Sequence, residues 1–294
     1  MPPDQQEERL GMHNQLIAII GAGVMGCATA LDVARAGYRV ILQDHSESVI
    51  LQAPDVIRRE YRSACFLKQG YGEVPLDIIM DRISFQIQDE GVEEANVIIE
   101  NVTENIESKK EVYARLSQKA RPDALYALNT SCISVTKLAS FLPDPRRAIG
   151  VHLMNPVPVK SMVEVIKGHH TTPETEQEMV AFLESLGKNP VVIEDLPGFV
   201  SNRLSHLLMN EAAFIVQDGI ATAEQVDAIM KKGFSYQMGP LETADLIGLD
   251  TVVHSLKVLY DSYQDPKFRC CPLLQKMVDA GHWGRKTGQG FYAY

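Results

Sequence analysis

A histidine closing a β-rich apolar run, Gly150-Val151-His152, is placed for proton transfer, because imidazole titrates near neutrality and can take a proton from a hydroxyl and return it. Oxidation of a hydroxyl to a ketone needs such a base as the hydride leaves. The other histidines are less well placed: His13, His45, His169, His170, His254 and His282 fall in expected tails, loops or polar helix faces, and His206 in a later helix. Glu164 lies inside Met162-Val163-Glu164-Val165-Ile166, an apolar setting in which an unpaired carboxylate would be costly to bury. Pairing it with His152 would satisfy both groups, fixing the imidazole tautomer and stabilising the imidazolium. Two plainer readings stay open here, a core histidine with local partners and an edge-strand glutamate turned to solvent by period-two alternation. Ser131, just past a strand end in Leu128-Asn129-Thr130-Ser131-Cys132, can hydrogen-bond a substrate oxygen or simply cap a helix. It lacks the GxSxG surroundings of a hydrolase nucleophile. Asn202, in Gly198-Phe199-Val200-Ser201-Asn202-Arg203, opens a helix and can orient a carbonyl or stand as a surface amide. No second His or Cys falls at metal-ligand spacing, so no metal is expected.

A dinucleotide would supply the redox partner. Gly21-Ala22-Gly23-Val24-Met25-Gly26 follows an apolar strand over 16–20 and opens a helix running to about Ala36. In that setting GxGxxG is a specific signal. Gly21 permits the tight turn, Gly23 lets the backbone approach a pyrophosphate, and Gly26 lets helix and strand pack closely. The diphosphate would sit on the helix N-terminus beside Val24 and Met25. A second strand over 38–43 delivers Asp44, whose carboxylate suits ribose hydroxyls and repels a 2′-phosphate, so NAD is expected over NADP.

These groups need a frame. Apolar runs at 16–20, 40–42, 97–99, 124–128, 148–151 and 191–193 alternate with helix-like stretches such as 106–120 and 172–186. Strands buried on both faces read as continuous apolar runs, so the alternation predicts an α/β fold with a Rossmann-type doubly wound parallel sheet. Beyond Gly198 the strand signal fades, and 199–217, 223–232, 241–263 and 272–280 read as helices, an all-α C-terminal domain. Leu196-Pro197-Gly198 is the natural joint. The expected division is a disordered tail over 1–14, a cofactor domain over 15–196 and a helical substrate and dimerisation domain over 197–294. A net charge of −10 argues against nucleic acid as a partner. Five cysteines without a CxxC pairing, and an N-terminus without a secretory pattern or a long apolar run, predict a cytoplasmic protein with reduced thiols and no membrane contact.

The ordered motifs Ile20-Gly21-Ala22-Gly23-Val24-Met25-Gly26, Glu104-Asn105, Asn129-Thr130-Ser131, Asn155-Pro156-Val157-Pro158, Val163-Glu164-Val165-Ile166, Pro197-Gly198-Phe199, Met238-Gly239-Pro240 and Lys286-Thr287-Gly288-Gln289-Gly290-Phe291-Tyr292 together resemble the short-chain L-3-hydroxyacyl-CoA dehydrogenase family, which includes the 3-hydroxybutyryl-CoA dehydrogenases. The resemblance spans about 16–294. It implies an NAD-dependent enzyme acting on a 3-hydroxyacyl thioester, with His152 and Glu164 as its catalytic pair and Ser131 and Asn202 on the substrate. It also implies Glu104 and Lys109 as nicotinamide-side contacts, Asn129 among the cofactor-binding residues, Asp44 on the ribose, and a homodimer through the helical domain. Leu153-Met154 replace two phenylalanines common in the family, and Lys160-Ser161 an apolar-basic pair. The segment 46–83, a coenzyme A-contacting helical hairpin in the family, reads as short, with Arg58, Arg59, Arg62 and Lys68 among its few basic residues. A thioester borne by an acyl carrier protein, an L-gulonate 3-dehydrogenase activity and a crystallin-like structural role are the competing readings.

Overall fold

The computed structural model describes residues 15–294, so the tail expected over 1–14 lies outside the described residues. Two compact units divide the chain, the first ending at Asp195 and the second spanning Leu196–Tyr294.

The first unit is built on an eight-stranded sheet ordered β3-β2-β1-β4-β5-β6-β7-β8. Along the chain run β1 (Leu16–Ile20), α1 (Val24–Arg35), β2 (Arg39–Gln43), α2 (Glu47–Leu67), α3 (Leu76–Met80), β3 (Ile83–Gln86), β4 (Val97–Glu100), α4 (Ile106–Leu116), β5 (Leu125–Leu128), α5 (Val135–Ala139), β6 (Ala148–Leu153), β7 (Met162–Lys167), α6 (Pro173–Ser185) and β8 (Asn189–Glu194). The central strands β1, β4, β5 and β6 are buried along their whole length, as helices on both faces require. Strands β1 to β6 are parallel, and the order reverses between β1 and β4, where such sheets open a ligand crevice.

The sheet departs from the expected all-parallel form at one place. β7 runs antiparallel to β6, because the connection over 154–161 is too short for the helical crossover that a parallel neighbour needs. α6 supplies a crossover again, and β8 is parallel to β7. β3 escapes the sequence reading because Ile83-Ser84-Phe85-Gln86 is a partly exposed edge strand without a continuous apolar run.

In the second unit α7 (Ser201–Gln217), α8 (Ala223–Phe234), α9 (Pro240–Ile247), α10 (Leu249–Tyr263) and α11 (Pro272–Asp279) surround a core containing Met209, Leu241, Leu249, Val252 and Leu256. The single helix expected over 241–263 is two, broken where Gly248 takes a φ of 104°. Two buried aspartates tie the pieces together. Asp227 accepts from the Leu241 and Glu242 amides and the Tyr292 hydroxyl, and Asp245 from the Phe291 and Tyr292 amides and the Tyr294 hydroxyl.

A buried ion pair braces the first unit: Lys188 Nζ stands 2.6 Å from Asp32 Oδ2, with side chains 3% and 5% exposed. The ammonium also donates to the Val157 and Lys160 carbonyls, pinning the 154–161 connection to α1. Lys188→Met should cost about 3–5 kcal/mol in urea unfolding, because it strands a buried carboxylate. The same change made in an Asp32→Ala background should cost clearly less; equal costs would show the two charges to be uncoupled.

Candidate active site

His152 and Glu164 face one another across the antiparallel pair, in register on β6 and β7. Imidazole Nδ1 lies 2.7 Å from Glu164 Oε2, and both side chains are nearly buried, at 9% and 4% exposure. A carboxylate only accepts, so Nδ1 carries the proton and donates, which makes Nε2 the basic nitrogen. Register alone produces the contact, since directly opposed residues in an antiparallel pair bring their Cβ atoms within about 5 Å.

Ser131 follows β5, the parallel neighbour of β6, so it rises from the same sheet edge as His152. Its loop is held by Glu104, whose Oε1 accepts from Thr130 Oγ1 at 2.7 Å, the Ser131 amide at 2.8 Å and the Cys132 amide at 3.0 Å. Beneath the loop lies a fully buried network. Lys109 Nζ, with no exposed surface, donates to both Glu100 oxygens at 2.9 and 2.8 Å and to the Asn129 carbonyl at 2.8 Å. Tyr113 and the Val102 amide donate to Glu100 as well. Burial pushes the Glu100 carboxyl above the usual carboxylate range, and the Lys109 ammonium opposes that rise. The structure places the Lys109 ammonium inside this network, enclosed by Glu100 and the Asn129 carbonyl. Asn129 likewise directs its side-chain amide to Asn101 Oδ1 and so ties the ends of β4 and β5.

The glycine turn lies at the matching end of β1. Gly21 has a φ of 99°, and a Cβ there would stand 2.7 Å from the Asn101 carbonyl. A Cβ on Gly26 would overlap the Gly21 carbonyl, so helix and turn pack in direct backbone contact. Gly23 differs: a Cβ there would meet nothing within 4 Å. As the N-cap of α1 it provides no side-chain cap, and the helix has no acidic residue in its first turn, so the first amides are available to an anion. Val24 beside it is 52% exposed, whereas Met25 packs on the core. Asp44 accepts from the Ala22 amide with Oδ2 and from the Ser46 amide with Oδ1, each at 2.9 Å, so it braces the turn it borders. Gly21, Gly23, Asp44, Asn101 and Ser108 line a groove of about 520 Å³. The open face at Gly23, the uncapped helix and the carboxylate at the tip of β2 fit a dinucleotide. Behind the turn, burial raises the Cys27 thiol to about 12, and it donates to the Ala22 carbonyl as a protonated group.

Asn202 belongs to the second unit, in the opening turn of α7, where its carbonyl accepts from His206 Nδ1 at 2.9 Å. Among the described residues no cluster of metal-ligating side chains occurs. Sequence reasoning missed Glu100, Asn101 and Tyr113, and also Asp195, which accepts from the Ser134 hydroxyl and the Val135 and Thr136 amides. Glu100 left one signal, a carboxylate directly ending an apolar strand nine positions before Lys109; nothing local marked Asp195.

Two family models cover the chain: "3-hydroxyacyl-CoA dehydrogenase, NAD binding domain" matches residues 16–196, and "3-hydroxyacyl-CoA dehydrogenase, C-terminal domain" matches 198–294. A probable 3-hydroxybutyryl-CoA dehydrogenase of Bacillus subtilis is 38% identical, over 96% of this chain and 98% of that protein. The human mitochondrial hydroxyacyl-coenzyme A dehydrogenase is 33% identical, over 95% of this chain and 90% of its own length. The crystal structure of (S)-3-hydroxybutyryl-CoA dehydrogenase from Ralstonia eutropha superposes with a TM-score of 0.90 at 35% identity, covering 96% of this chain and 99% of that one.

Gly23→Ala tests the dinucleotide fit. The new methyl group stands in open space, so unfolding stability should change by no more than about 1 kcal/mol. It also stands where the pyrophosphate must approach, so the Kd for NADH, read by fluorescence titration, should rise about tenfold or more. Unchanged affinity would place the diphosphate elsewhere.

Proposed function

The chain belongs to the 3-hydroxyacyl-CoA dehydrogenase family of NAD-dependent oxidoreductases, and from that premise we propose that it interconverts the hydroxyl and keto forms at C3 of an acyl-CoA, with His152 and Glu164 as acid/base pair. The observation that carries the proposal is the buried contact of 2.7 Å between His152 Nδ1 and Glu164 Oε2 at the sheet edge where the glycine turn also opens. In oxidation, His152 Nε2 takes the proton of the 3-hydroxyl. Glu164 stays ionised and stabilises the imidazolium so formed, an interaction strengthened by burial. NAD⁺, held along Gly21, Gly23, Gly26 and Asp44, supplies the hydride acceptor. In reduction the imidazolium returns the proton to the developing alkoxide. Ser131 hydrogen-bonds the substrate oxygen, and Asn202 orients a carbonyl of the thioester.

The names of the relatives support coenzyme A as the thioester carrier and favour a short acyl chain. A homodimer through the helical unit belongs to the same reading. It is supported by large apolar side chains at the surface of that unit, Leu204 at 65%, Ile220 at 75% and Phe234 at 66% exposure. A cytosolic location fits five cysteines that all stand as thiols.

Oxidation of NADH with acetoacetyl-CoA should proceed, with weaker turnover of the same acyl group on an acyl carrier protein and none of dehydrogulonate. His152→Gln should lower kcat by about 10²- to 10⁴-fold with the Kd for NADH nearly unchanged. Turnover at the parent rate in that variant would remove His152 as the base.

A further inference from the structure

Resting on the reading of Ser131 as a substrate contact, we infer that Glu104 and Asp195 are positioning residues, two carboxylates outside the loop 129–136 that clamp its two ends and thereby aim the Ser131 hydroxyl. Thr130, Cys132 and Ile133 are buried in this loop, so its backbone amides need partners from within the protein. Here six donors converge on two carboxylates. At the near end Glu104 Oε1 takes the Thr130 hydroxyl and the Ser131 and Cys132 amides. At the far end Asp195 takes the Ser134 hydroxyl at 2.7 Å, the Thr136 amide at 2.7 Å and the Val135 amide at 3.0 Å. Between the ends, Thr130 Oγ1 accepts from the Ile133 amide at 3.1 Å and closes the turn.

The clamp has a foundation of its own. Lys109 fixes the Asn129 carbonyl, where the loop begins, and stands 3.7 Å from Glu104 Oε2. Charge is what lets one oxygen serve three donors, since ionised acceptors form bonds about twice as strong as neutral ones. An amide at either position would offer a weaker oxygen and turn its own N–H groups toward donors. Neither carboxylate exchanges a proton in this scheme. Each acts through Ser131, and an ångström of displacement at a substrate-positioning group can cost about 100-fold in rate.

Steady-state kinetics of Glu104→Gln and Asp195→Asn, each made alone and with Ser131→Ala, decide the matter. Each carboxylate variant should lower kcat about tenfold or more by itself, yet less than about twofold when Ser131 is already alanine, because coupled residues are not additive. In Asp195→Asn the Kd for NADH should stay within about threefold of the parent value. Ser134→Ala removes a single donor from Asp195 without touching a charge; it should show the same coupling at smaller size even if Asp195→Asn does not fold. Equal losses in both backgrounds, or a Glu104→Gln variant that weakens NADH binding and leaves kcat intact, would overturn the clamp alone. Full activity of Ser131→Ala would instead overturn the role of Ser131, and the inference with it.

Discussion

The reversal of strand direction between β6 and β7 is the constraint from which the chemistry follows. Antiparallel pairing puts His152 opposite Glu164, so an imidazole and a carboxylate twelve positions apart meet at 2.7 Å across adjacent strands. A shift of a single residue would set Val163 or Val165 against the imidazole and send the carboxylate to the other face of the sheet. Neighbours resist that slip: Val163 and Val165 are buried, and Lys188 holds the connection between the strands by the Val157 and Lys160 carbonyls.

Buried charge recurs beneath the site, and its role is geometric. Asp32 with Lys188, and Glu100 with Lys109, are pairs whose Coulomb attraction is largely offset by the cost of taking both partners out of water. What such pairs do well is hold backbone. Lys188 grips the loop between β6 and β7, and Lys109 grips the Asn129 carbonyl at the foot of the Ser131 loop. Asp44 treats the glycine turn in the same manner, accepting from the Ala22 amide. Backbone amides and carbonyls beyond the carboxyl ends of β1, β5 and β6 are thus fixed by side chains from elsewhere in the unit.

How far the chain could be read depended on whether the signal was local. The glycine turn was legible because strand, turn and helix are consecutive and Gly26 meets the Gly21 carbonyl within that stretch, whereas the Asn101 carbonyl against Gly21 comes from beyond β4. Continuous apolar runs named most of the strands, and the helical second unit followed from their disappearance. Partly exposed β3 gave no run, and the break at Gly248 was hidden in a pattern that stays amphipathic on both sides of it. The burial of Lys109 left no local signal, since nothing in Ser108-Lys109-Lys110 shows that one lysine is fully enclosed while the next is exposed.

Local sequence therefore determined the element types, the glycine turn between β1 and α1, the acid at the tip of β2 and the placing of a glutamate in an apolar strand. Tertiary structure alone decided what each polar group touches. Strand order put β5 beside β6, antiparallel register put Glu164 on His152, and the connection after β4 and the end of β8 brought Glu104 and Asp195 to one loop. The reason is physical: propensity and periodicity act over a few residues, whereas buried carboxylates find donors wherever packing delivers them, at separations of 26 to 61 positions in this loop.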